Sequence, residues 1–209
     1  MRGFVSTVLA LAIAVSSAGC SSLLTSDVPA ETVFWLEPYA APRVPQAGLA
    51  PSITVRVTAA PGLDVDRLLV RGPGATLSPY AGARWADRIP EVLSILIRTV
   101  LEDSGSFGRV AASAAGARSD WTLDLEARAF YAVATADEAA PTIAVQLRGY
   151  LQCDGRDVPI RLTSEVRATE NTLTRIVAGF QLAVDQAAME LLRQMRAGCA
   201  GGARENVAG

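Results

Sequence analysis

The sequence predicts an α+β fold: a largely antiparallel sheet with two amphipathic helices packed on one face. Three observations lead there. Segments with period-two alternation and segments with apolar residues at three- and four-residue steps run in the order strand, strand, strand, helix, three strands, helix. That order lacks the regular strand–helix alternation of a doubly wound parallel sheet. Two helices laid on one face of the sheet would bury both apolar stripes and leave a Thr/Arg/Glu face open. The 209 residues, 50% hydrophobic and 19% charged, fit one globular domain.

The first residues form an address rather than part of that domain. Arg2 precedes an apolar and small-residue stretch from Phe4 to Ala18, the layout of a secretory signal peptide over residues 1–19. At about 15 residues the stretch is shorter than the ~20 needed to span a bilayer, so cleavage is expected. Ser17-Ala18-Gly19-Cys20 resembles the bacterial lipobox, with Ser17 where Leu is usual. Cys20 is therefore expected to carry a diacylglycerol and an N-acyl chain such as palmitate. More than one chain gives firm attachment, since each buried methylene contributes about 0.8 kcal/mol. By the same resemblance Ser21 directs the protein to the periplasmic face of the outer membrane, where an Asp would retain it at the inner one.

Residues 20–50, with Pro29, Pro38, Pro42 and Pro45, read as the lipidated N-terminus and a tether. The apolar island Val33-Phe34-Trp35-Leu36 interrupts it as a short edge strand that docks on the domain. Residues 51–199 form that single domain, and 200–209 a disordered tail. Its first strand alternates Ile53, Val55, Val57 and Ala59 against Thr54, Arg56 and Thr58. Leu68–Arg71 is a second, closed by Gly72-Pro73-Gly74, which lacks the Lys-Ser/Thr of a phosphate loop.

Over 86–103 the period changes. Ile89, Val92, Leu93, Leu96, Ile97, Val100 and Leu101 line one face of a helix opposite Arg88, Glu91, Arg98 and Glu102. Pro90 fits its first turn, and Gly105 stops it. Ile95 falls on the charged side, either a stray apolar residue or part of a partner-binding stripe.

In the strand Trp121–Val133, Leu123, Leu125, Ala127 and Tyr131 share the face of Trp121. Ile143, Val145, Leu147 and Leu151 share a face along 142–153, and Val158, Ile160, Leu162 and Val166 along 158–167. Asp154-Gly155 joins these two as a tight hairpin. Arg161, Thr163, Glu165 and Arg167 occupy the open side and are a candidate partner face. A last helix runs from about Arg175 to Arg196 along Val177, Phe180, Val184, Ala187, Leu191 and Met195, ended by Gly198.

The composition excludes much chemistry. The chain has no His and, with all 19 basic residues Arg, no Lys. It therefore lacks the usual acid/base catalyst, the commonest metal ligand, and the lysine of Schiff bases and phosphate loops. The carboxylate pairs Asp64/Asp66, Glu102/Asp103 and Asp137/Glu138 sit at turns or helix ends, where solvated charge is normal. No catalytic residue, metal or cofactor is expected, and the chain is read as a non-enzyme. A net charge of −2 with scattered Arg argues against nucleic acid. Once Cys20 is assigned to lipid, Cys153 and Cys199 remain. They are either a disulfide, worth about 4 kcal/mol by loop-closure entropy, or two thiols too far apart to join.

A set of short motifs spans most of the chain that follows the signal peptide. Phe34, Leu36 and Pro38 form an aromatic-x-Leu-x-Pro segment, with Phe in place of the commoner Tyr. Tyr80 is followed by the helix start Trp85-Ala86-Asp87-Arg88-Ile89-Pro90 and the helix exit Ser104-Gly105-Ser106-Phe107. With these motifs the sequence resembles the ABC-type transport auxiliary lipoproteins, also called PqiC-like lipoproteins. The resemblance implies a non-catalytic lipoprotein at the outer membrane. There it would dock the periplasm-spanning MCE-domain protein of a lipid transport system and, through it, an inner-membrane permease and ATPase; a homo-oligomer is left open. Trp85 and Trp121 keep a structural reading, as a packing staple and a buried-face residue. An alternative function is a structural or regulatory binding module in cell-wall assembly.

Overall fold

Strands form where β-branched and apolar residues alternate with polar ones, helices where the apolar period lengthens, and a computed structural model describes both within residues 31–44, 50–113, 118–134 and 139–199. The signal peptide, Cys20, the first part of the tether, Asp137/Glu138 and the tail lie outside the described residues. The order is β1 (Thr32–Phe34), β2 (Ser52–Ala59), β3 (Arg67–Arg71), β4 (Leu77–Trp85), α1 (Ile89–Asp103), β5 (Arg109–Ala112), β6 (Trp121–Val133), β7 (Thr142–Cys153), β8 (Arg156–Arg167) and α2 (Leu173–Cys199). This is an α+β fold with a mixed, mostly antiparallel sheet.

The long central strand β6 organises the sheet. One edge pairs antiparallel with β7, which pairs antiparallel with β8. The other edge is shared: β2 runs parallel to residues 121–127, and β3 parallel to 132–133. β5 extends the sheet beyond β2, while β4 and then β1 extend it beyond β3. Asp154 and Gly155, at φ +51° and +74°, make the two-residue β7–β8 turn with Cys153 opposite Arg156.

β4 and β5 were not legible as strands: Leu77–Trp85 contains Pro79 and Gly82 without alternation, and β5 is four residues long. In β6 the face assignment needs correction. Arg128 is an extra residue between Ala127 opposite Leu147 and Ala129 opposite Gln146. This bulge turns Phe130 into the core and leaves Tyr131 half-buried, stacked under Arg71 at 6.0 Å.

α1 lies over β2 and β5, and α2 over β7 and β8. α1 starts with Pro90 in its first turn and ends where Gly105, at φ +67°, donates to Glu102 O at 3.1 Å. α2 runs through Gly198 to Cys199, so Gly198 is not its stop. A Cβ at Gly198 would stand 2.5 Å from Val158 Cγ1, and one at Gly179 would stand 2.7 Å from Ile143 Cγ1. Both glycines let the helix backbone settle onto the sheet. Cys153 and Cys199 are joined as a disulfide with Cα atoms 6.2 Å apart, tying the end of β7 to the last turn of α2.

Candidate functional site

The motif residues lie mainly around the entrance and exit of α1, where Trp85 and Pro90 are buried and Gly105 and Phe107 half-buried. Trp85, at the end of β4, is fully buried and donates its backbone N–H to Asp66 O at 2.7 Å. Its indole meets Phe130 and Phe180 edge-on at 5.5 and 5.0 Å, and those two rings lie 5.0 Å apart. Such pairs add about 0.5–1.5 kcal/mol each beyond area burial. The indole Nε1 finds no acceptor among the described residues. Ala86 is exposed, but its N–H donates to Phe34 O at 3.0 Å, which fixes β1 beside the helix entrance. Asp87, also exposed, accepts from Arg88 N at 2.7 Å, and Pro90 is buried. Tyr80 packs half-buried on the core. At the exit, Phe107 meets Trp121 edge-on at 5.4 Å.

From β1 the chain continues across the helix layer as a strap. Leu36 is buried and Pro38 half-buried. Glu37 N–H donates to Gln181 Oε1 on α2 at 2.8 Å, while Gln181 Nε2 donates to Glu37 O at 2.8 Å. Tyr39 covers the space between the helices, and Val44 N–H reaches Ser104 O at the end of α1 at 2.9 Å. The strap's upstream end is fixed by charge: Glu31 pairs with Arg67 and Arg84, and Asp66 with the same two arginines.

The cavity between the helices under Tyr39 measures about 20 Å³ and is lined by apolar side chains such as Leu93, Val145 and Leu191. That is room for about one water, so it holds no lipid as it stands. Ile95 is half-buried rather than free: it lines an apolar cleft with Phe34, Leu36, Val92 and Trp35, the last 59% exposed.

On the sheet's open face lies a wider basin of about 530 Å³. Arg161, Thr163, Glu165 and Arg167 are all exposed on this side. The register sets Thr58, Glu126, Arg148 and Arg161 in one row, and Arg56, Asp124, Tyr150 and Pro159 in the next. Arg56 grips Asp124 through Nε at 2.6 Å and Nη2 at 2.8 Å, which raises the pKa of its guanidinium. Arg128 holds Glu126 at 2.7 Å. Sequence reasoning passed over Arg148 and Tyr150, yet the Asp154-Gly155 turn already dictates that Arg148 faces Arg161.

Among the described residues no group of three Cys, Asp or Glu side chains gathers as a metal site, and no helix is long and apolar enough to cross a membrane. Cys20 lies outside them.

The sequence matches, over residues 34–191, the family model described as the ABC-type transport auxiliary lipoprotein component. Among solved structures, the chain is similar to protein XCC0632 from Xanthomonas campestris, of family DUF330. The two share 26% identity and a TM-score of 0.66, covering 77% of this chain and 92% of that one. An uncharacterized protein of known crystal structure aligns at 13% identity and a TM-score of 0.59, covering 79% and 99%, a likeness of fold. No curated protein matches.

Proposed function

The chain belongs to the ABC-type transport auxiliary lipoprotein family, and from that premise we propose that it is the outer-membrane-anchored, non-catalytic docking component of an MCE-type lipid transport system. The observation that carries this reading is the family match over 34–191, which takes in the strap, the motifs around α1 and most of α2. A lipoprotein family implies a membrane-anchored place in the envelope. Here Cys20 is the acyl acceptor and Ser21 the residue that releases the protein to the outer membrane. Thr32 follows Cys20 by about a dozen residues, so the tether holds the domain within about 40 Å of its anchor even when fully extended. The filled interior supports a docking role in which lipid passes through the MCE partner rather than inside this domain.

Affinity capture of the tagged full-length protein from solubilised envelopes, with Cys20→Ala in parallel, tests the proposal. The expected result is recovery of an MCE-domain protein with its permease and ATPase, reduced by Cys20→Ala. Recovery of cell-wall enzymes alone would replace transport with a role in cell-wall assembly.

A further inference from the structure

We propose that the basin on the open sheet face is a binding site for the phosphate of an anionic phospholipid headgroup, with Arg148 and Arg161 as its two ligating side chains. The argument starts from the backbone. Arg161 donates its N–H to Gln194 Oε1 at 3.0 Å, and its carbonyl accepts from Gln194 Nε2 at 2.7 Å, both on the side of β8 away from β7. Neither group is then available to β7, so Arg148 and Arg161 face each other as a non-hydrogen-bonded pair. In an antiparallel ladder such pairs bring side chains closest, with Cα atoms about 4.5 Å apart.

Two like charges directly opposite are unfavourable, and the surroundings do not neutralise them. Glu126, next in the row, is taken by Arg128, and Asp124 is held by Nε and Nη2 of Arg56. Among the described residues neither Arg148 nor Arg161 forms an ion pair. The basin lining thus carries four arginines against two carboxylates, an excess of positive charge on a chain whose net charge is −2. Tyr150, 61% exposed, adds a phenol beside the pair.

The chemistry selects the ligand. A planar carboxylate matches one guanidinium fork, whereas a tetrahedral phosphate presents oxygens to two forks at once. For a membrane-anchored lipoprotein the phosphate at high local concentration is that of lipid headgroups. The net positive lining favours a headgroup with net negative charge over a zwitterionic one.

The test uses the full-length lipidated protein in a non-ionic detergent, titrated by calorimetry with short-chain phosphatidylglycerol, short-chain phosphatidylcholine, glycerol 3-phosphate and a glutamate-rich peptide. Arg148→Gln/Arg161→Gln is the site variant. Arg167→Gln, on the same strand but outside the basin, is the charge control, and circular dichroism checks that all are folded. Phosphatidylglycerol is expected to bind at least about tenfold more tightly than phosphatidylcholine, to lose about tenfold or more in the double variant, and to be unchanged in Arg167→Gln. Equal loss in Arg167→Gln, or none in the double variant, overturns the proposal. So does glycerol 3-phosphate binding as tightly as the lipid, which would mark a soluble phosphate site. Preference for the glutamate-rich peptide would mark a protein-docking face instead and overturn it equally.

Discussion

Gln194 of α2 closes both backbone groups of Arg161 on the outer edge of β8, accepting its N–H at 3.0 Å and donating to its carbonyl at 2.7 Å. One side-chain amide thus stands where a further strand would pair. An open edge is a template for unwanted association, and covering it with a helix is one way proteins blunt it. Gln181 does the same for Glu37 in the strap, so α2 holds both the last strand and the N-terminal segment by side-chain amides.

Gln194→Ala removes both bonds and leaves the Arg161 amide to solvent. The expected loss of stability is about 1 kcal/mol. Hydrogen exchange gives the sharper readout: the Arg161 amide should lose protection while its neighbours in the β7–β8 ladder keep theirs. Unchanged exchange at Arg161 would mean that the edge is protected by something other than Gln194.

Gly198 is a packing residue, and its replacement separates that role from a helix end. Ala in a helix interior is favoured over Gly by about 1 kcal/mol. At this position the added methyl would stand 2.5 Å from Val158 Cγ1, and overpacking of that kind costs about 1–3 kcal/mol. Gly198→Ala is therefore expected to lower Tm, as is Gly179→Ala against Ile143. A higher Tm in thermal denaturation would show that the last turn can lift from β8 without loss.

The Cys153–Cys199 bridge closes a loop across 46 residues of sequence and locks the end of β7 to the end of α2. In the chain-entropy model a loop of that length is worth about 4 kcal/mol. Thermal melts with and without reductant, and with Cys153→Ser/Cys199→Ser, should show a large fall in Tm that is equal in the reduced and substituted proteins. Two titratable thiols in the oxidised, denatured protein would contradict the bridge.

Local pattern made the helices and the long strands legible, and the shared geometry hid the rest. The alternation from Leu123 continues through Tyr131 in the sequence, yet the bulge at Arg128 is set by pairing with β7 and shifts Phe130 inward. Gly198 looks like a stop because the short-range signal is the same for a C-terminal glycine and for one that admits a close neighbour; only Val158 distinguishes them. The motif residues Trp85, Pro90, Gly105 and Phe107 were visible, and their packing around α1 follows from their types. The Arg148–Arg161 pair required combining the hairpin turn with the strand register, a step that no single-strand pattern contains.

Glu190 gives the acid-pH behaviour a specific source. It accepts from Arg193 and from Gln194 Nε2, the latter at 2.6 Å, and these bonds, with Arg193 the larger influence, hold its pKa down from 4.5 to about 2. Because the folded pKa is depressed, the stabilisation is fully present above the unfolded value of about 4.5 and is lost as pH falls toward 2. Protonation also removes the charge from the acceptor that orients Gln194 toward Arg161 and so weakens that bond. Glu190→Gln is therefore expected to flatten the acid limb of a stability–pH curve between about pH 4.5 and 2 while leaving the neutral limb parallel to wild type. In the wild-type protein, the protection factor of the Arg161 amide, taken relative to the intrinsic exchange rate at each pH, should fall over that same window. An acid limb unchanged by Glu190→Gln would assign the loss of stability to other carboxylates, with Asp120, whose pKa is lowered by the backbone and hydroxyl of Ser52, the next to test.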